Sequence, residues 1–194
     1  MTIAEVYHTM MNELSLNILD IAQNSIAAEA TLVEIDVEED SNSDRITIRV
    51  KDNGKGMSED FLKEVEDPFI TTRTTRKIGL GISFLKEAAE MTGGSIDLKS
   101  EPGVGTSVTA YFGMSHIDRQ PIGNLTETII TLVTLNTEID FIIRYKVNEN
   151  EFVFSTQEVK ELLGDDVSLS SPQIVMFLTE YVKEHIESLS GEGT

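Results

Sequence analysis

Apolar residues between positions 12 and 28 fall at Leu14, Ile18, Ile21, Ala22 and Ile26. That spacing predicts a helix with one apolar face. Asn17, Asp20 and Asn24 recur three or four residues apart on another face. The pattern then changes period. Leu32, Val33, Ile35 and Val37 alternate with acids, and Ile46, Ile48 and Val50 alternate with polar residues across a polar turn. Both read as strands of one hairpin. Ser58 opens a short acidic helix over 59–65, and a second helix runs from Gly79 to about Thr92, ending at Gly93-Gly94. Residues 95–100 and 104–112 predict two more strands around Glu101-Pro102-Gly103.

The texture shifts after Gly113. Residues 114–124 read as a linker with Pro121 and Gly123. Residues 126–135 and 139–147 are rich in β-branched side chains and are expected as strands, extended by 151–154. Ser155 with Glu158, and Ser171 before Pro172, mark the starts of two closing helices. The expected organisation is a domain over 1–113, a linker over 114–124 and a small α+β unit over 125–194. Phe141, Tyr145, Phe152, Phe154, Phe177 and Tyr181 supply that unit's aromatic core. Partner docking is its functional alternative.

Composition narrows the function classes. A net charge of −19 over 194 residues argues against nucleic-acid binding and against anionic membrane surfaces. No apolar run approaches the roughly 20 residues of a membrane span. The first residues lack the basic start and apolar core of a signal peptide. Without cysteine, thiol catalysis, thiolate metal sites and disulfides drop out. The expectation is a cytoplasmic protein.

Candidate chemistry sits in four places. Asp52-Asn53-Gly54-Lys55-Gly56-Met57 follows a strand: a carboxylate can accept from an adenine amine, and glycines let a ring approach the main chain. Asp20 and Asn24 lie one helical turn apart, an amide oxygen suited to Mg²⁺ beside a carboxylate able to act as a base. From the helix alone, the same pattern also describes a solvated polar stripe. Gly79-Leu80-Gly81 at a helix start forms a phosphate cradle. Arg73, Arg76 and Lys77 precede it, a basic cluster in an acidic chain and a fitting partner for a triphosphate. Thr106 lies inside a strand pattern, where it could reach adenine or simply mark a bulge.

Together these segments resemble the GHKL (Bergerat-fold) ATP-binding domain over roughly residues 13–112. Residues 19–27 are similar to its N box, 52–57 to its first glycine box, 67–72 to the F box of histidine kinases, 79–83 to the second glycine box and 100–107 to the last. The resemblance implies a two-layer α/β sandwich, α+β in class, with a mixed sheet and helices on one face. It implies ATP and Mg²⁺ as cofactors. Asn24 would hold the metal, Asp52 the adenine amine, and Gly54, Gly56 and Met57 the ring. Gly79, Leu80 and Gly81, with Arg73, Arg76 and Lys77, would hold the phosphates. Thr106 would fix the adenine, and Asp20 would be the catalytic acid–base group. Asp20 stands where several members carry the longer Glu, and Lys77 stands where a glycine is usual. None of His8, His116 and His185 sits in a phosphoacceptor-like sequence. The expected activity is therefore a signalling kinase or phosphotransferase acting on a separate protein. The alternative is an ATP-controlled binding module. A homodimer stays open.

Overall fold

The computed structural model describes residues 13–66, 80–164 and 167–191. The elements in chain order are α1 (Leu14–Ala27), β1 (Leu32–Asp40), β2 (Arg45–Asp52), α2 (Glu59–Glu66), α3 (Leu80–Met91), β3 (Ser95–Glu101) and β4 (Gly105–Gly113). They continue with α4 (Leu125–Leu135), β5 (Asp140–Val147), β6 (Asn150–Ser155), α5 (Thr156–Leu163) and α6 (Pro172–Ser190). All six strands form one sheet in the order β3-β4-β2-β1-β5-β6. Among the described residues, β1 and β5 pair in parallel and the other four pairings are antiparallel.

Strict alternation explains the layering. Val33, Ile35 and Val37 on β1, Ile46, Ile48 and Val50 on β2, and Phe141, Ile143 and Tyr145 on β5 are buried on one face. Helix residues Leu14, Ile18, Ile21, Leu85, Leu132 and Val182 close over that face. Each buried side chain of this size contributes about 1.5–3 kcal/mol relative to exposure. The opposite face carries Glu34, Asp36, Glu38, Arg49, Lys51, Arg144 and Lys146, joined by ion pairs such as Arg49–Asp36 and Lys51–Glu34. The expected α+β fold with helices on one side of a mixed sheet is what the chain adopts.

Two local expectations are corrected. Residues 125–135 form helix α4, not a strand. Leu125, Thr128, Ile129, Leu132 and Val133 are its buried face, at helical spacing. Asn124 caps it by accepting from the Glu127 N–H at 3.0 Å. Tertiary packing has overridden β-branched propensity. Ser171 stands at the N-cap of α6 but its side chain makes no capping bond; Pro172 in the first turn needs none. Ser155 does cap α5, through the Glu158 N–H.

The strands after residue 125 do not build a sheet of their own. β5 pairs with β1 over eight register positions, from Leu32↔Asp140 to Glu39↔Val147. Residues 114–124 are tied down as well: Pro121 and Ile122 carbonyls accept from the Leu14 and Ser15 N–H groups at 3.0 and 2.8 Å. These two bonds satisfy donors that the start of α1 would leave unpaired.

Candidate functional site

The site grows from the turn after β2. Asn53 pins it to the start of β1: its Oδ1 accepts from the Thr31 and Leu32 N–H groups, both at 2.9 Å, and its Nδ2 donates to Thr31 Oγ1. The Lys55 N–H donates to the Ala28 carbonyl at 2.9 Å, and the Lys55 carbonyl accepts from the Gly103 N–H at 2.7 Å. The two glycine turns therefore cross in contact. Gly56 has φ +64°, and a Cβ there would stand 2.0 Å from the Glu101 carbonyl oxygen. A Cβ on Gly105 would stand 2.0 Å from the Asp52 carbonyl oxygen. Only glycine fits either position.

Asp52 is held at the end of β2, 8% exposed. Its Oδ2 accepts from Ser25 Oγ at 2.7 Å. Its Oδ1 accepts from the Gly54 N–H at 2.8 Å and the Thr106 N–H at 3.3 Å. A carboxylate offers about four acceptor positions, so these three bonds leave about one. Ser100 ties the floor together: its Oγ accepts from the Met57 N–H at 2.8 Å, bonds the Gly105 carbonyl at 3.1 Å and meets Thr106 Oγ1 at 2.8 Å.

Above Asp52 opens a cleft of about 500 Å³. Ile21, Ala28, Met57, Phe61, Ile82 and Val108 supply apolar walls; Asn24, Ser25, Asp52 and Thr106 are polar points on them. Mostly apolar walls with a few fixed polar groups suit a flat heteroaromatic ring with one polar edge. Among the described residues, no histidine lines it. His116 lies on the loop after β4, and His185 packs on Phe152 and Tyr181.

The polar stripe of α1 is not solvated. Asn17 is 1% exposed, and Asp20 and Asn24 are half-buried. Asn17 Oδ1, Asp20 Oδ2 and Asn24 Nδ2 are buried atoms with no hydrogen-bond partner among the described residues. Asn24 reaches the cleft. Asp20 does not line it; its carboxylate lies under the first turn of α3. A Cβ on Gly81 would stand 1.6 Å from Asp20 Oδ2, so Gly81 is glycine because the carboxylate fills that space. Burial pushes the Asp20 carboxyl above its usual range, and the neighbouring Asn24 amide pulls it partly back.

Of the residues expected from sequence, Asn24, Asp52, Gly56, Met57 and Thr106 converge on the cleft. Gly54 and Gly81 shape it from behind, at Ala28 and Asp20. Leu80 begins α3. Arg73, Arg76, Lys77, Gly79 and the 67–72 segment lie outside the described residues. Ser25, Asn53 and Ser100 were not foreseen. Ser25 had one visible signal, a small hydroxyl directly on the apolar spacing of α1.

The family described as histidine kinase-, DNA gyrase B- and HSP90-like ATPases matches residues 3–116. The chain belongs to this ATPase family. Similar proteins include the sensor histidine kinase ZraS of Salmonella typhimurium, 35% identical over 95 residues, which is 48% of this chain and 20% of that protein. Sporulation kinase D of Bacillus subtilis is 33% identical over 98 residues, 50% of this chain and 19% of that protein. The chain thus spans about a fifth of the length of these relatives. Among solved structures, the N-terminal domain of a DNA repair protein aligns with TM-score 0.50 at 14% identity, covering 80% of this chain and 58% of that one. That likeness is one of fold. No described helix of this ATPase-family chain is long and apolar enough to cross a membrane.

Proposed function

We propose that the cleft binds ATP with Mg²⁺ and that the chain is a phosphotransferase or regulatory protein kinase acting on a separate protein. One observation carries the nucleotide reading: a buried carboxylate, Asp52, fixed by three bonds, with one acceptor position left at the floor of an apolar cleft. An exocyclic amine is the donor that position fits. Asn24, which lines the cleft wall, would hold the metal through its amide oxygen. Mg²⁺ takes one or two protein oxygens and fills its remaining positions from water and phosphate. A single amide ligand is consistent with that, as no cluster of three or more His, Cys, Asp or Glu stands among the described residues. The metal would neutralise phosphate charge. The similarity to sensor kinases supports transfer.

A second reading is a nucleotide-controlled binding module with slow or no turnover. Asp20 favours it. Its carboxylate is shut under Gly81 and does not line the cleft, so it does not face a water or hydroxyl bound there. The deciding experiment adds γ-labelled ATP and the chain to a native lysate. Label on a separate protein, lost with Asp52→Asn and Asn24→Ala, supports the phosphotransferase. ATP binding by calorimetry without transfer or hydrolysis supports the binding module. No ATP–Mg²⁺ binding at all removes both.

A further inference from the structure

β6 ends the sheet, and no other strand pairs with its outer edge among the described residues. The hairpin before it turns on two residues, Asn148 and Glu149, with Asn148 at φ +53°. A two-residue turn makes the flanking Val147–Asn150 pair hydrogen-bonded, and bonding alternates from there. The backbone groups of Phe152 and Phe154 therefore face β5. Those of Glu151 and Val153 point outward, offering free N–H and C=O groups.

Beside this edge runs an uncovered apolar strip. Phe177, Tyr181 and His185 lie at i, i+4 and i+8 on α6. Phe152 of β6 stacks on His185 at 4.7 Å and meets Tyr181 edge-on at 5.8 Å, and Phe177 stacks on Tyr181 at 6.1 Å. Phe177 is 62% exposed and Met176 71%. Single exposed apolar residues are ordinary, but large ones grouped beside a bare strand edge mark a contact surface.

Charge selects the occupant. Glu149, Glu151, Glu180 and Glu184 are exposed around the strip, and Glu149, Glu180 and Glu184 make no ion pair among the described residues. A second copy would bring the same acids and another net charge of −19 against them. We infer that the β6 edge and the Phe177–Tyr181 strip bind an extended segment of a partner protein, added as a seventh strand, with apolar residues at alternate positions and Lys or Arg on its flanks. Main-chain bonds to Val153 give affinity, and the aromatic strip reads every second side chain.

The test is selection of random linear peptides against the whole 194-residue chain. The chosen peptides are then titrated by fluorescence anisotropy. Val153→Pro removes an outward N–H without touching the β5–β6 ladder; Phe177→Glu fouls the strip and leaves the strand alone. Circular dichroism melts and ATP calorimetry, both expected to be unchanged, report on folding. The expected result is a set of peptides with period-two apolar positions and basic flanks, each bound about tenfold or more weakly by either variant. Peptides without that pattern, or bound equally by both variants, overturn the inference. So does a dimer in sedimentation velocity that Val153→Pro dissolves, since the edge would then belong to a second copy.

Discussion

Asp52→Asn is the sharpest probe of the cleft, because it changes charge and one hydrogen atom pair while keeping shape. In the folded chain the Asn amide oxygen can still take the Gly54 and Thr106 N–H groups that Oδ1 holds at 2.8 and 3.3 Å. The amide nitrogen replaces Oδ2 opposite Ser25 Oγ, whose hydroxyl can turn to accept or lean on the Ile21 carbonyl at 3.4 Å. Stability should therefore fall by only about 1 kcal/mol, a melting shift of about 2–4 °C for a chain of this size. Ligand affinity should fall much further. The adenine amine loses a charged acceptor and meets either a neutral oxygen or another donor. A hydrogen bond to a charged group is worth about 1.5–3 kcal/mol, so ATP–Mg²⁺ affinity should drop about 10- to 150-fold. Calorimetry on the variant, beside a melt to show that it is folded, reads this directly. ATP affinity within about threefold of wild type, on a folded variant, would refute the assignment of the remaining acceptor position to an amine.

Other outcomes follow from Asp20 and Gly81. Gly81→Ala forces a methyl to within 1.6 Å of Asp20 Oδ2 and should destabilise by about 1–3 kcal/mol in urea unfolding. Adding Asp20→Ala should recover most of that loss, because Asp20 Cβ stands an ordinary 3.6 Å away; additive losses would disprove the contact. Burial raises the folded-state pKa of Asp20 above its unfolded value, so its contribution is fully present below about pH 3.8 and is lost as pH rises through the folded pKa. Asp20→Asn should then raise the melting temperature more at pH 7 than at pH 4, and a gain independent of pH would contradict the burial argument. Asn24→Ala should weaken ATP binding in Mg²⁺ more than in EDTA, measured by calorimetry.

The half of the fold that repeats locally was legible. Hairpin β1–β2, the helix stripe of α1 and the glycine turns all announce themselves within about ten residues, through period and turn chemistry. What failed depended on distant partners. Residues 125–135 carry strand-favouring side chains, and packing against α1, α6 and β5, with Thr128, Ile129 and Leu132 on the buried face, makes them a helix. The parallel seat of β5 against β1 is invisible for the same reason, and so 114–124 read as a linker when its carbonyls in fact cap α1. In the cleft, the residue types were readable but their supports were not. Ser25 and Ser100 matter by where their hydroxyls end up, 27 and 43 positions from the Asp52 and Met57 atoms they bond.

The β1–β5 pairing has a consequence during synthesis. Asp36 and its partner Arg144 are 108 positions apart, so β1 leaves the ribosome with one bare edge for about 5–20 s before β5 exists. Glu34, Asp36 and Glu38 stand along that strand. While the edge is bare, three acids keep nascent chains from zipping together. When β5 arrives, Arg144 closes on Asp36 at 3.0 Å and Lys146 on Glu38 at 2.7 Å. Two of these carboxylates, Asp36 and Glu38, thus guard the chain against its neighbours first and latch its own last strands in register afterwards.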